Sequence, residues 1–191
     1  GYRDLVPIPV GVDPAWVRGG DAAIGRELAG VGDAPILLSV GHVIPLRDRV
    51  GLVEALPAVL ARHPQARLVV AGRVYYDVFL RRADALGVGY AVRPLGAVPK
   101  SSIPHLLAAA TVESHEQGDG MGTATLEAMA AGVPVVGWGR LDNFPGVALH
   151  DGQDVMLTHR GDVQGLAQRL VRVLDDVPAA RAMGERGRAL V

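Results

Sequence analysis

From Pro35 onward, short apolar runs alternate with segments whose apolar residues recur at every third or fourth position. Ile36 to Val40 is an apolar run of the kind found in strands covered on both faces. Val50, Val53, Leu56 and Leu60 follow at helical spacing, and His63-Pro64 ends that helix. Leu68 to Ala71 predicts a second strand and Val78 to Leu86 a second helix. Tyr90 to Leu95 predicts a third strand, which Pro94 confines to a sheet edge or a strand end. Ile103 to Ala109 predicts a short helix and Thr111 to Ser114 a strand. Thr123 to Ala131 is a further helix closed by Gly132, before a strand at Pro134-Val135-Val136. An irregular stretch leads to Val155-Met156-Leu157, and helices Val163 to Leu174 and Ala179 to Leu190 close the chain. Strand and helix signals in alternation predict βαβ units, hence an α/β domain of three layers, α/β/α, around a mostly parallel sheet. Residues 1–20 are rich in Pro and Gly, with one apolar stretch at Val6 to Val10, and read as a linker leading into a domain over 21–191.

Composition narrows this picture. A chain of 191 residues suits one domain with a sizeable core. With 49% hydrophobic but only 4% aromatic residues, that core must be built mainly of Ala, Val and Leu. A net charge of −1 gives no support for a general polyanion or nucleic-acid surface. The absence of cysteine removes disulfide and thiol chemistry. No apolar run approaches the roughly 20 residues of a membrane span, and no secretory signal is visible, so a cytoplasmic protein is expected, with room for peripheral contact with a membrane. His63, His105, His150 and His159 are scattered without ligand spacing, so no metal site is expected. Trp16 and Trp138 read as packing residues.

The chemistry concentrates in Gly118 to Val136, GDGMGTATLEAMAAGVPVV. Gly118, Gly120 and Gly122 let a loop bring backbone N–H groups close to a ligand. The loop feeds a helix N-terminus, where unpaired N–H groups and the helix dipole both favour an anion such as phosphate. Asp119 stands before the helix and Glu127 about one turn within it. This run resembles the Glu–(seven residues)–Glu signature of retaining glycosyltransferases of family 4, which have the GT-B fold. Leu126 to Val136 matches the family closely, whereas Asp119 replaces its first Glu and Met121 its Phe. The segment IPVGVDPAWV resembles the Ile-Pro-Asn-Gly-Val-Asp stretch that enters the C-terminal half of these enzymes, with Val10 in place of the Asn.

Two further segments carry the resemblance. SVGHVIPLRDRVGLVEAL is similar to the family's Gly-Arg-Leu-x-Pro-x-Lys-Gly segment, whose Arg and Lys hold the donor diphosphate. His42 then stands in place of the Arg and Arg47 in place of the Lys; Arg47 keeps the charge and offers a planar fork to phosphate oxygens. Val70-Ala71-Gly72-Arg73 is similar to a strand ending in Gly-x-Gly, with Arg73 and Val74 breaking the second glycine. Leu95-Gly96-Ala97-Val98-Pro99 resembles a Gly-x-Val-Pro turn, whose backbone commonly meets the nucleobase. His115 and Glu116 are either substrate ligands or the polar end of a strand.

The resemblance implies the Rossmann-like, donor-binding C-terminal half of a GT-B enzyme, with the acceptor domain preceding Gly1. It implies transfer of a sugar from a nucleotide diphosphate sugar to an acceptor sugar, lipid or small molecule, with retention, without metal and without a cofactor. Asp119, Glu127 and Arg47 are the catalytic candidates. The substrate-binding candidates are His42, Arg47, Arg73, Val98, Asp119, Gly120, Met121, Gly122, Thr123 and Glu127. Arg47 and the N–H groups of Gly120 to Thr123 would stabilise the departing diphosphate, Glu127 would hold the ribose hydroxyls and Asp119 a sugar hydroxyl. Two alternatives stay open: a nucleotide-sugar 2-epimerase on the same fold, and a sugar-nucleotide-binding module without activity, in keeping with the departures at His42, Asp119 and Met121.

Overall fold

The computed structural model describes residues 11–116, 122–142 and 146–191. Six strands form one sheet: β1 (Ile36–Val40), β2 (Arg67–Ala71), β3 (Val92–Gly96), β4 (Val112–Glu116), β5 (Val135–Trp138) and β6 (Met156–Thr158). All pairings are parallel, in the order β3-β2-β1-β4-β5-β6. Among the described residues, eight α-helices flank it: α1 (Pro14–Arg18), α2 (Ala22–Ala29), α3 (Val50–Arg62), α4 (Val78–Ala85), α5 (Ser102–Ala109), α6 (Thr123–Ala130), α7 (Val163–Asp175) and α8 (Val177–Arg188). This is the α/β/α, Rossmann-like architecture that the alternation predicts. Among the described residues, no helix is long and apolar enough to cross a membrane.

The strands alternate between two core layers, as the period of two requires. Leu37, Leu68, Val70, Val112, Val136 and Met156 pack with α3, α4 and α7. Ile36, Leu38, Val69, Ala71, Val135 and Leu157 pack with α1, α5 and α6 on the other face. Pro94 lies in the edge strand β3, where a missing N–H breaks no second ladder. The third strand starts later than its apolar pattern suggests, because Gly89–Ala91 forms a 3-10 turn.

The helices α1 and α2 were not expected from periodicity. Each is short, but each carries its own start signal. The Asp13 carboxylate accepts from the N–H groups of Ala15 and Trp16, with Pro14 at the first helical position. The Asp21 carboxylate accepts from Ala23 and Ile24, and Gly30 closes α2 in the left-handed conformation. α1 therefore lies inside the segment read as a linker, and it packs on α5 and α6. Val17 is buried, and the Arg18 Nε donates to the Ala130 carbonyl at 3.2 Å.

α2 meets α5 backbone to backbone. A Cβ on Gly25 would fall 2.0 Å from the His105 carbonyl oxygen. In an open helix Gly→Ala gains about 1 kcal/mol. Here Gly25→Ala is expected to destabilise the chain instead, by about 1–3 kcal/mol, because α2 must move off α5. Urea unfolding checks the sign, and a stabilised variant would mean the two helices are not in close register.

Candidate functional site

The strand order reverses between β1 and β4: the chain steps from β1 to β2 and β3 on one side, then returns to place β4 on the other. Loops leaving the carboxyl ends of β1 and β4 diverge there, and open α/β sheets bind ligands in the crevice so formed. The described candidates lie on the loops after β1, β2 and β3 and at the start of α6.

The loop after β1 is zipped to the loop after β2. The Gly41 N–H donates to Ala71 at 2.9 Å, Val43 to Arg73 at 3.0 Å, and Tyr75 back to Val43 at 3.0 Å. The approach is tight enough that a Cβ on Gly72 would sit 2.1 Å from the Gly41 carbonyl oxygen. Arg47, Asp48 and Arg49 then do three different things. Arg49 is fully buried with φ 65°. Its guanidinium donates to the carbonyls of Arg47 at 3.0 Å and Gly41 at 3.2 Å, so it shapes the turn from beneath. Asp48 accepts from the Val50 N–H at 3.0 Å and starts α3. Arg47 is half-buried, its Nη1 3.5 Å from where a Cβ on Gly41 would lie, at the mouth of the turn.

His42 is exposed beside it, and its Nδ1 accepts from the Arg73 N–H at 3.2 Å. With Nδ1 accepting, a neutral His42 ring carries its proton on Nε2. Tyr75 stands edge-on to His42 at 5.7 Å between centroids, and the Arg73 guanidinium lies 5.7 Å from the Tyr75 ring. His42 and Arg73 are thus brought together, through a tyrosine that carries no motif.

The second group gathers at α6. Gly122 stands at the N-cap of that helix with no side chain to bond its first N–H groups, and its carbonyl accepts from the Thr125 N–H at 3.0 Å; the helix dipole there favours an anion. Thr123 is exposed at the first turn, and Glu127 is partly buried one turn on. A cleft of about 410 Å³ opens here, lined by Val12, Asp13, Trp16, Lys100, Thr123 and Glu127. Burial pushes the Glu127 carboxyl above its ordinary range; the Lys100 ammonium pulls it back, and the Glu113 carboxylate adds a smaller upward push. Lys100 itself lies over the Trp16 indole, 4.6 Å from the ring centroid. Trp16 packs against the core, as expected, and also forms a wall of the cleft. No site role was expected for Lys100, although it is the only lysine and directly follows the Leu95 to Pro99 turn. Val98, in that turn, is half-buried against the core. Asp119, Gly120 and Met121 lie outside the described residues, as do the side chains of His115 and Glu116.

A larger cleft, about 650 Å³, lies at the ends of β5 and β6, away from the reversal; the Arg140–Asp142 and Arg169–Asp151 pairs on its wall satisfy one another. Among the described residues, no three His, Cys, Asp or Glu side chains come together to hold a metal ion.

Comparison with known proteins places this geometry. A GDP-mannose-dependent alpha-(1-6)-phosphatidylinositol monomannoside mannosyltransferase of Mycolicibacterium smegmatis is 33% identical over 172 residues, covering 85% of this chain and 44% of that protein. A D-inositol 3-phosphate glycosyltransferase of Frankia alni is 35% identical over 140 residues, covering 66% of this chain and 34% of that protein. The chain thus spans about half the length, or less, of the curated relatives it matches. Among solved structures, Anabaena Alr3699/HepE in complex with UDP superposes with a TM-score of 0.78 at 22% identity, covering 94% of this chain and 50% of that one. The C-terminal domain of the group 1 glycosyl transferase LpcC from Francisella tularensis gives 0.78 at 19% identity, covering 95% and 96%. The model of the family "Glycosyl transferases group 1" matches residues 23–190, and the chain belongs to that family.

Proposed function

We propose that the chain is the donor-binding domain of a retaining, metal-independent glycosyltransferase that moves a sugar from a nucleoside diphosphate sugar to an acceptor held outside this domain. The observation that carries the reading is the partly buried Glu127 carboxylate in a cleft beside the N-terminus of α6, at the crevice where β1 and β4 diverge. GDP-mannose is the donor to test first, because the mannosyltransferase relatives carry it in their names. Their phosphatidylinositol mannoside acceptors make a lipid the first acceptor to try, which would bring the whole enzyme to a membrane surface from the cytoplasm.

The roles follow from charge. When the glycosidic bond to the donor breaks, negative charge grows on the leaving diphosphate. Arg47 and the N–H groups of Gly122 and Thr123 offer fixed positive potential to it, with Gly120 and Met121 completing the loop. His42 adds a neutral Nε2–H donor in place of a cation, with Arg73 at the rim. Glu127 accepts from the ribose hydroxyls, the Val98 backbone meets the base, and Asp119 holds a hydroxyl of the transferred sugar.

A carboxylate accepting from hydroxyls is worth about 1.5–3 kcal/mol, so Glu127→Ala should weaken GDP binding roughly 10- to 150-fold in calorimetry. Binding equal to that of the parent would remove Glu127 from the site. Glu127→Gln adds a stability test. Because burial holds the carboxyl above its ordinary 4.5, the fold favours the protonated form. That contribution is present below the ordinary value and lost as pH rises through the raised one. The permanently neutral Gln variant should therefore melt above the parent near neutrality, the gap closing toward pH 4.5, while binding GDP poorly. A variant that melts lower than the parent at neutral pH would mean the carboxylate is structural.

Metal-independence has its own check. GDP affinity should be unchanged by EDTA, since arginine and helix N–H groups supply the positive potential. Loss on chelation with recovery on adding Mg²⁺ or Mn²⁺ would require a metal in the site.

A further inference from the structure

The cleft beside Glu127 has a second charged wall that the proposed function does not use. Lys100 follows Pro99, and its backbone is pinned at the start of α5: Ile103 donates to the Lys100 carbonyl at 3.1 Å and Ser102 to Pro99 at 2.9 Å. Its side chain then crosses the Trp16 ring. Trp16 is fixed in turn, because α1 is capped by Asp13 and held by buried Val17 and by the Arg18–Ala130 hydrogen bond. An ammonium over an indole is favourable by about 0.5–1 kcal/mol at an exposed site, enough to prefer one orientation of a flexible side chain. Lys100 and Glu127 thus line one cleft, and the Lys100 ammonium pulls on the Glu127 carboxyl.

These two groups are chemically complementary. The ammonium only donates hydrogen bonds and the carboxylate only accepts them. A vicinal diol meets both demands, since each hydroxyl donates through its hydrogen and accepts through its lone pairs. We infer that Lys100 is a ligand-contacting residue that donates to the ribose diol from the side opposite Glu127, and that Trp16 is the positioning residue that holds Lys100 there. The inference rests on the donor-site reading of this cleft and goes beyond it: the site selects ribose over deoxyribose through two residues of opposite charge, on different loops.

The test uses GDP and 2′-deoxy-GDP as probes, titrated calorimetrically into the 191-residue chain and its variants. The parent should bind GDP roughly tenfold or more tightly than 2′-deoxy-GDP, the loss expected when a hydroxyl bonded to charged groups is removed. Lys100→Gln should weaken GDP far more than 2′-deoxy-GDP and so shrink that ratio several-fold; Lys100→Arg should restore it. Trp16→Leu should shrink the ratio in the same direction, and Trp16→Phe, which keeps an aromatic face, should rescue it. A role for either residue in packing alone would lower both affinities together and leave the ratio unmoved. An unmoved ratio in Lys100→Gln, with the ratio collapsing in Glu127→Ala, overturns the role of Lys100 and leaves the donor site standing. An unmoved ratio in both variants overturns the donor-site reading as well.

Discussion

The reversal of strand order between β1 and β4 is the constraint on which the rest depends. In an all-parallel sheet every connection must cross a face, so the chain returns to the same edge after each helix. At any other pair of neighbours one loop covers the next. Only between β1 and β4 do successive loops leave in opposite directions. The crevice is therefore a property of the topology, and the sequence needs only to furnish its rim. It does so with loops of different kinds. One is rigid and arginine-framed after β1; another is glycine-rich, running from β4 into α6.

The rigidity of the first loop comes from a buried charge. Arg49 occupies a left-handed backbone position that few residues adopt, and its guanidinium is enclosed by carbonyls of the turn it closes. Planar forked donors suit that task, because several carbonyl oxygens converge on one group. Arg49 is committed inward, whereas Arg47, two positions earlier, is only half-buried. The parallel bridge between Val43 and Val74 then ties this loop to the one after β2, which is why His42 and Arg73 meet.

Much of this was legible in the sequence, for definite reasons. The strands and larger helices followed from apolar periodicity, because a parallel sheet buried on both faces needs continuous apolar runs. Pro94 announced the edge strand because a prolyl nitrogen cannot pair. The helix that carries Glu127 was legible because the run from Leu126 to Val136 is long and specific. What escaped has an equally physical account. α1 is too short to show a period, and α2 carries Gly25 where a helix former would normally stand, because α5 leaves no room for a Cβ. Trp16 and Lys100 are 84 positions apart, and their pairing is a matter of where α1 docks. Tyr75 carries no motif, since its role comes from the ring faces it meets.

The electrostatics at Glu127 show why such a site is costly to keep. Burial penalises the ionised carboxyl, and Glu113, fully buried on β4, pushes the same way. A chain selected for stability alone would place a neutral residue at this position. Among the described residues, the Lys100 ammonium acts in the opposite sense, from a different loop. A partly desolvated acceptor is the kind of group whose hydrogen bonds to a ligand gain most, because part of its water is already given up. The folded chain therefore carries an unfavourable local term at Glu127. The docking of α1 sets Trp16 in the wall of this cleft, under the Lys100 ammonium.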